Sequence, residues 1–135
     1  MFAVDLDYPR GLTFGPDSCL YVAEAGRGGP NSTDGLCPQD ESAGPFTGGL
    51  TARVSRVSRP AGASLWYPDR TWVVTTFVQG LPSAQANKNI PGFVLGAADV
   101  AFLGETPYIL IAGGGCAHAN PRIPASIARV KPDGT

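Results

Sequence analysis

The sequence lacks most of the features that assign a chain to a function class at a glance. It has one histidine, His118, and three cysteines, with no CxxC or HxxH pair. A zinc centre needs four nitrogen or sulfur ligands at suitable spacing, and these residues do not supply them. Ten lysines and arginines stand against eleven aspartates and glutamates, a net charge of -1. That balance excludes the basic footprint of a nucleic-acid binder. No apolar run approaches the length of a membrane-spanning helix. MFAVDLDYPRG, at the start, has no basic segment followed by an apolar core, so no signal peptide is expected in this chain. GRGG (26–29) and GGG (113–115) lack the Gly-Lys-Ser/Thr ending and the following helix of a phosphate loop. Nor does any stretch hold a helical apolar period over three turns.

What is present in excess is punctuation. Eighteen glycines and thirteen prolines break 135 residues into short apolar segments, the pattern of strands joined by turns. The segments recur. GLTFGPDSCLYVAEAGRGG, from Gly11, aligns with DVAFLGETPYILIAGGGCA, from Asp99, at an offset of 88. Phe14 then meets Phe102, Val22 meets Leu110 and Gly26 meets Gly114. ARVSRVSRPAG (52–62) matches SIARVKPDGT (126–135) at an offset of 73, so Arg56 meets Arg129. Each unit is strand, turn, strand, glycine exit, long loop, strand. The first adds a fourth strand, TWVVTTFV (71–78).

Four antiparallel strands in a meander describe one blade of a β-propeller. The expected fold is all-β: unit 1 over about 9–80, a link over about 81–97, and unit 2 over about 98–135 without its last strand. Two blades cannot close a ring of about four to eight, so the expected partners include further blades of the same propeller. A small β-sandwich shares the hairpins but does not explain why the order recurs.

PRGLTFGPDSCLYVAEAGRGGP (9–30) and GAADVAFLGETPYILIAGGGCAHANP (96–121) with SIARVKPDGT resemble two successive blades of the ScyD/ScyE family, propellers related to NHL-repeat proteins. The resemblance implies an exported, periplasmic or extracellular protein with no established catalytic activity. Family members often carry two cysteines in the first long loop. Here Cys37 stands without its expected partner, so a disulfide inside that loop is not expected. FGPDSC replaces the family's FGPDG, which puts Cys19 where a glycine eases the turn.

In a meander, the turns after strands one and three share one side, and the connections after strands two and four share the other. Short turns (15–18, the turn after Arg59, and 103–107) fall on the first side. Long, glycine-rich connections (26–51, 80–97 and 113–125) fall on the second, and binding sites usually sit on loops held by a rigid scaffold. The candidate residues are therefore on the long-loop face. Asp99 starts the innermost strand of unit 2, near a central channel, with Asn87 and Asn89 in the approaching loop. Hard oxygen ligands of this kind suit calcium or magnesium, or Asp99 simply bonds backbone amides. His118 is a locally bonded loop residue or an imidazole acting with Cys116. Cys37 and Cys116 lie in equivalent loops of adjacent blades and form a disulfide if their Cα atoms come within about 7 Å. Trp66, Tyr67 and Trp72 read as edge or packing residues. Arg53, Arg56, Arg59 and Arg70 read as a solvated face. The leading function is a non-catalytic scaffold binding a small molecule or protein; the alternative is a metal-dependent, lactonase-like hydrolase with Asp99 as one ligand.

Overall fold

A computed structural model describes residues 3–38, 43–60, 72–86, 90 and 92–131. They form two antiparallel sheets and one turn of 3-10 helix at Cys116–His118. The fold is all-β, and no helix is long and apolar enough to cross a membrane among the described residues. Asn87, Asn89, Trp66, Tyr67 and Arg70 lie outside the described residues.

The first sheet is a meander of β1 (Pro9–Phe14), β2 (Leu20–Glu24), β4 (Thr47–Ser58) and β5 (Val73–Gln85). Two short strands extend it: β3 (Asn31–Ser32) beside β4, and β6 (Val94–Leu95) beside β5. The second sheet is β7 (Ala97–Leu103), β8 (Thr106–Ile111) and β9 (Ser126–Arg129), again in chain order. Gly96 carries the chain from one sheet to the other. A side chain there would collide with the Ala25 carbonyl, so only glycine lets the backbone pass. Alternation places Tyr21, Ala23, Ala52, Val54 and Val78 of the first sheet against Val100, Ile109 and Ile111 of the second. This apolar layer is the main core. Strand β7 approaches β1 and β2 most closely.

Several expectations need correction. Strand β5 does not end at 78; it continues to Gln85, inside the segment expected to be a link. Likewise β4 begins at Thr47, inside the expected long loop. Gly48 and Gly49 signal a loop in the sequence, yet here they serve close packing. A Cβ on Gly48 would meet Ala119, and one on Gly49 would meet the Gly29 Cα at 2.9 Å. The hairpin alignment also shifts by one. Phe14 pairs with Leu20 across a five-residue connection, whereas Leu103 pairs with Thr106 across two residues, Gly104 and Glu105. Gly104 has φ 60, the positive φ that a two-residue hairpin needs. Tyr108, not Ile109, thus stands in the place of Tyr21: Tyr21 faces Arg56, and Tyr108 faces Arg129. In the first hairpin the left-handed residue is Ser18, φ 60, rather than Cys19.

Two of the four arginines leave the expected solvated face. Arg53 reaches the buried Glu24, and Arg56 reaches Asp17. Arg59 lies over the Trp72 ring at 5.4 Å.

Candidate functional site

The described parts of the long connections pack together over one end of the sheets. The floor of this layer is a small apolar cluster of Phe46, Ala84 and Ala86, joined by Ile90 and Leu95. Its seams are polar and buried. The Ser83 hydroxyl accepts from Gly28 N at 2.9 Å and donates to the Ala25 carbonyl at 2.6 Å. The Thr33 hydroxyl accepts from Phe46 N at 2.7 Å. The Asn120 amide nitrogen lies 2.8 Å from the Gly113 carbonyl and 3.1 Å from that of Ser83. Buried polar groups must find partners, and these three bind together loops distant in sequence.

Cys37 and Cys116 are joined as a disulfide, with Cα atoms 6.2 Å apart, across 79 positions of sequence. The 3-10 turn that carries Cys116 also carries His118. The His118 Nδ1 is 2.7 Å from the Gly114 carbonyl, and its ring meets Phe46 edge-on at 5.0 Å. Half-buried and bonded in its own loop, the imidazole packs the layer rather than facing a cleft. Asp99 sits elsewhere, beside Gly11 of β1, where any side chain on Gly11 would overlap its carboxylate. One Asp99 oxygen accepts from Val100 N at 2.8 Å, which is the backbone-bonding alternative. The side chain is exposed. The structure therefore brings Cys37 to Cys116 and His118 to Phe46, and gives Asp99 and His118 separate surroundings.

Calcium takes six to eight oxygen ligands. Of the candidate oxygen ligands only Asp99 stands among the described residues, which hold no group of three or more His, Cys, Asp or Glu suited to a metal.

The polar residue that sequence reasoning missed is Glu24. It lies in the apolar run LYVAEA and is fully buried. Its carboxylate accepts from both Nε and Nη2 of Arg53 at 2.9 Å, from the Ser55 hydroxyl and from Asp7 N. The hydrogen bond to Glu24 pushes the Arg53 guanidinium pKa up, against the opposing effect of burial. A lone charged residue in an apolar strand was the available signal. Its partners, 29 and 31 positions away for Arg53 and Ser55, were not visible in the sequence.

At the other end, between the short turns, Asp17 accepts from Arg56 Nε at 2.8 Å, from Cys19 N at 3.1 Å and from the Tyr21 hydroxyl at 3.2 Å. Burial opposes ionisation of Asp17. The hydrogen bonds, that of Arg56 foremost, outweigh it and hold its carboxyl at about 2. Burial and the Asp17 carboxylate push the neighbouring Cys19 thiol and Tyr21 phenol upward. A raised thiol pKa leaves Cys19 in its unreactive form.

Comparison of the chain with family models, with curated proteins and with solved structures gives no match.

Proposed function

We propose that the chain forms two adjacent blades of a β-propeller of the ScyD/ScyE type and serves as a non-catalytic binding scaffold. Three features support the blade reading. Both sheets are meanders in chain order. The Tyr–Arg cross-strand pair recurs at equivalent places. The sheets come closest at their first strands, β1 and β7, as blades do around an axis. The outer faces also expose large apolar side chains, Leu12 and Phe14 on β1, Leu110 on β8 and Ile127 on β9. Phe14 and Ile127 are each 71% exposed. Neighbouring blades would cover them, since soluble monomers rarely leave such faces open.

The observation that carries the non-catalytic reading is the state of the long-loop residues. Cys116 is tied to Cys37, His118 to the Gly114 carbonyl and Asp99 to Val100 N. A catalytic imidazole or thiol needs a free, positioned partner. What remains is a loop layer tied by a disulfide and buried hydrogen bonds, suited to presenting a surface to a protein or small molecule. The disulfide favours an oxidising compartment, which agrees with the exported location the resemblance implies.

Metal analysis of the purified protein tests this reading. No stoichiometric calcium or magnesium is expected, and Asp99→Ala should leave the metal content unchanged. A stoichiometric cation lost in that variant would overturn it in favour of a metal-dependent hydrolase.

A further inference from the structure

The strand registers set the two sheets in correspondence. Thr13 pairs with Tyr21 as Ala101 pairs with Tyr108, and Ala23 pairs with Val54 as Leu110 pairs with Ile127. Tyr108, Leu110 and Ile127 therefore stand in the places of Tyr21, Ala23 and Val54. Leu12 and Phe14, on either side of Thr13, stand in the places of Val100 and Phe102. In the first sheet the tyrosine-bearing face is covered. Tyr21, Ala23 and Val54 lie in the core with Val100, and Phe102 meets the Tyr21 ring edge-on at 4.8 Å. The matching face of the second sheet is open: Leu110 is 47% and Ile127 71% exposed. Alternation along β1 turns Leu12 and Phe14 away from the core, where they are 60% and 71% exposed. Val22, in the place of Ile109, is already buried, so Leu12 and Phe14 lead that side. A single chain thus makes this apolar contact once between its sheets and displays both halves of it again on its outer faces.

We propose that these two outer faces bind each other between copies of the chain, head to tail. Leu12 and Phe14 of one copy pack against Tyr108, Leu110 and Ile127 of the next, as Val100 and Phe102 pack against Tyr21, Ala23 and Val54. The internal contact identifies the occupant, because the tyrosine-bearing face already takes up an aliphatic–aromatic pair at these register positions. Two different faces meet, so the association forms a ring if the rotation closes and an open chain if it does not. Each copy adds two sheets, and a ring of about four to eight blades takes about two to four copies. The proposal rests on the blade reading and adds that a second copy supplies the neighbouring blades.

Sedimentation velocity tests it on the 135-residue protein. The mean mass is expected to exceed that of the monomer and to rise with concentration. Phe14→Glu removes one face and Ile127→Glu the other. Both side chains are exposed, so neither change should lower the melting temperature of the dilute protein. Each variant alone should associate about tenfold or more weakly, as loss of an interface anchor does. Mixed in equal amounts, the two variants keep one intact pair of faces and should form a one-to-one dimer that grows no further. Misfolded chains would not complement each other in this way. A monomeric native protein, a variant that associates as the native chain does, or a mixture no heavier than its components would each overturn the proposal. Each of those results leaves the non-catalytic reading standing; a metal lost in Asp99→Ala overturns that reading and leaves the association untouched.

Discussion

Arg53 and Arg56 leave the same strand, β4, toward opposite ends of the molecule, and each finds a carboxylate. At the long-loop end, Arg53 meets a Glu24 side chain that is 0% exposed; at the short-turn end, Arg56 meets an Asp17 that is 36% exposed. The same pairing thus does different work. The buried pair locks β2, β4 and the N-terminal arm at Asp7 together beneath the loop layer. The exposed pair orders a turn beside the open cleft that Tyr21, Phe77 and Phe102 line between the sheets. One end is closed by its polar groups, and the other is left open.

The largest test of the contrast is Glu24→Ala. It removes the acceptor for Arg53, Ser55 and Asp7 N at once, leaving polar groups without their partner. Breaking a buried pair in this way costs about 3–5 kcal/mol, read as a lower midpoint in urea. Adding Arg53→Met should recover part of the loss, because an apolar side chain no longer needs the carboxylate. If Glu24→Ala cost no more than Asp17→Ala, the distinction between the two ends would fail.

Next in size is the staple. Cys37→Ser frees a loop closed across 79 positions and should cost about 2–4 kcal/mol, by the usual loop-entropy account. Thiol reductant should lower the melting temperature of the native protein and leave Cys37→Ser unmoved. If reductant lowered the melting temperature of Cys37→Ser as well, the staple would not be what stabilises this end.

How much of this was legible in the sequence follows the same divide. The strands β1, β2, β7 and β8 were legible because each is a short apolar run bounded by turn residues, and local pattern suffices for that. The extent of β4 and β5 was not. Gly48 and Gly49 look like loop glycines, and only the backbones of Gly29 and Ala119 crossing over them explain why they are glycine. Loop length pointed to the long-loop face as the functional one. It could not show that Ser83, Thr33 and Asn120 would close that face, because those bonds join residues far apart in the chain. The cleft was hidden for the same reason. Tyr21 lies in the apolar run LYVA, but its Phe77 and Phe102 partners come from different strands and different sheets.

A smaller effect is expected at His118. Replacing it with alanine removes the edge-on contact with Phe46 and the bond to the Gly114 carbonyl, together about 1–2 kcal/mol. Thermal melting measures it. A structural role predicts a lowered melting temperature; an unchanged one would return His118 to the list of functional groups.

The smallest expected effect is also the most specific to the open end. Hydrogen bonding, chiefly from Arg56, holds Asp17 at about 2 against its ordinary 3.8, despite the opposing effect of burial. The folded value lies below the unfolded one, so the stabilisation is fully present above pH 3.8. It declines as the pH falls toward 2 and is gone below both values. Because the pair is about one-third exposed on each side, solvent screens it, and its contribution stays below about 1 kcal/mol. Comparing Asp17→Asn with the native chain between pH 5 and 2 isolates it: the native protein should lose its margin over the variant within that window. Added salt should shrink the margin further. A margin that persisted at pH 2, or that salt left untouched, would mean that Asp17 is held as firmly as Glu24 and that the cleft is less open to water than its geometry indicates.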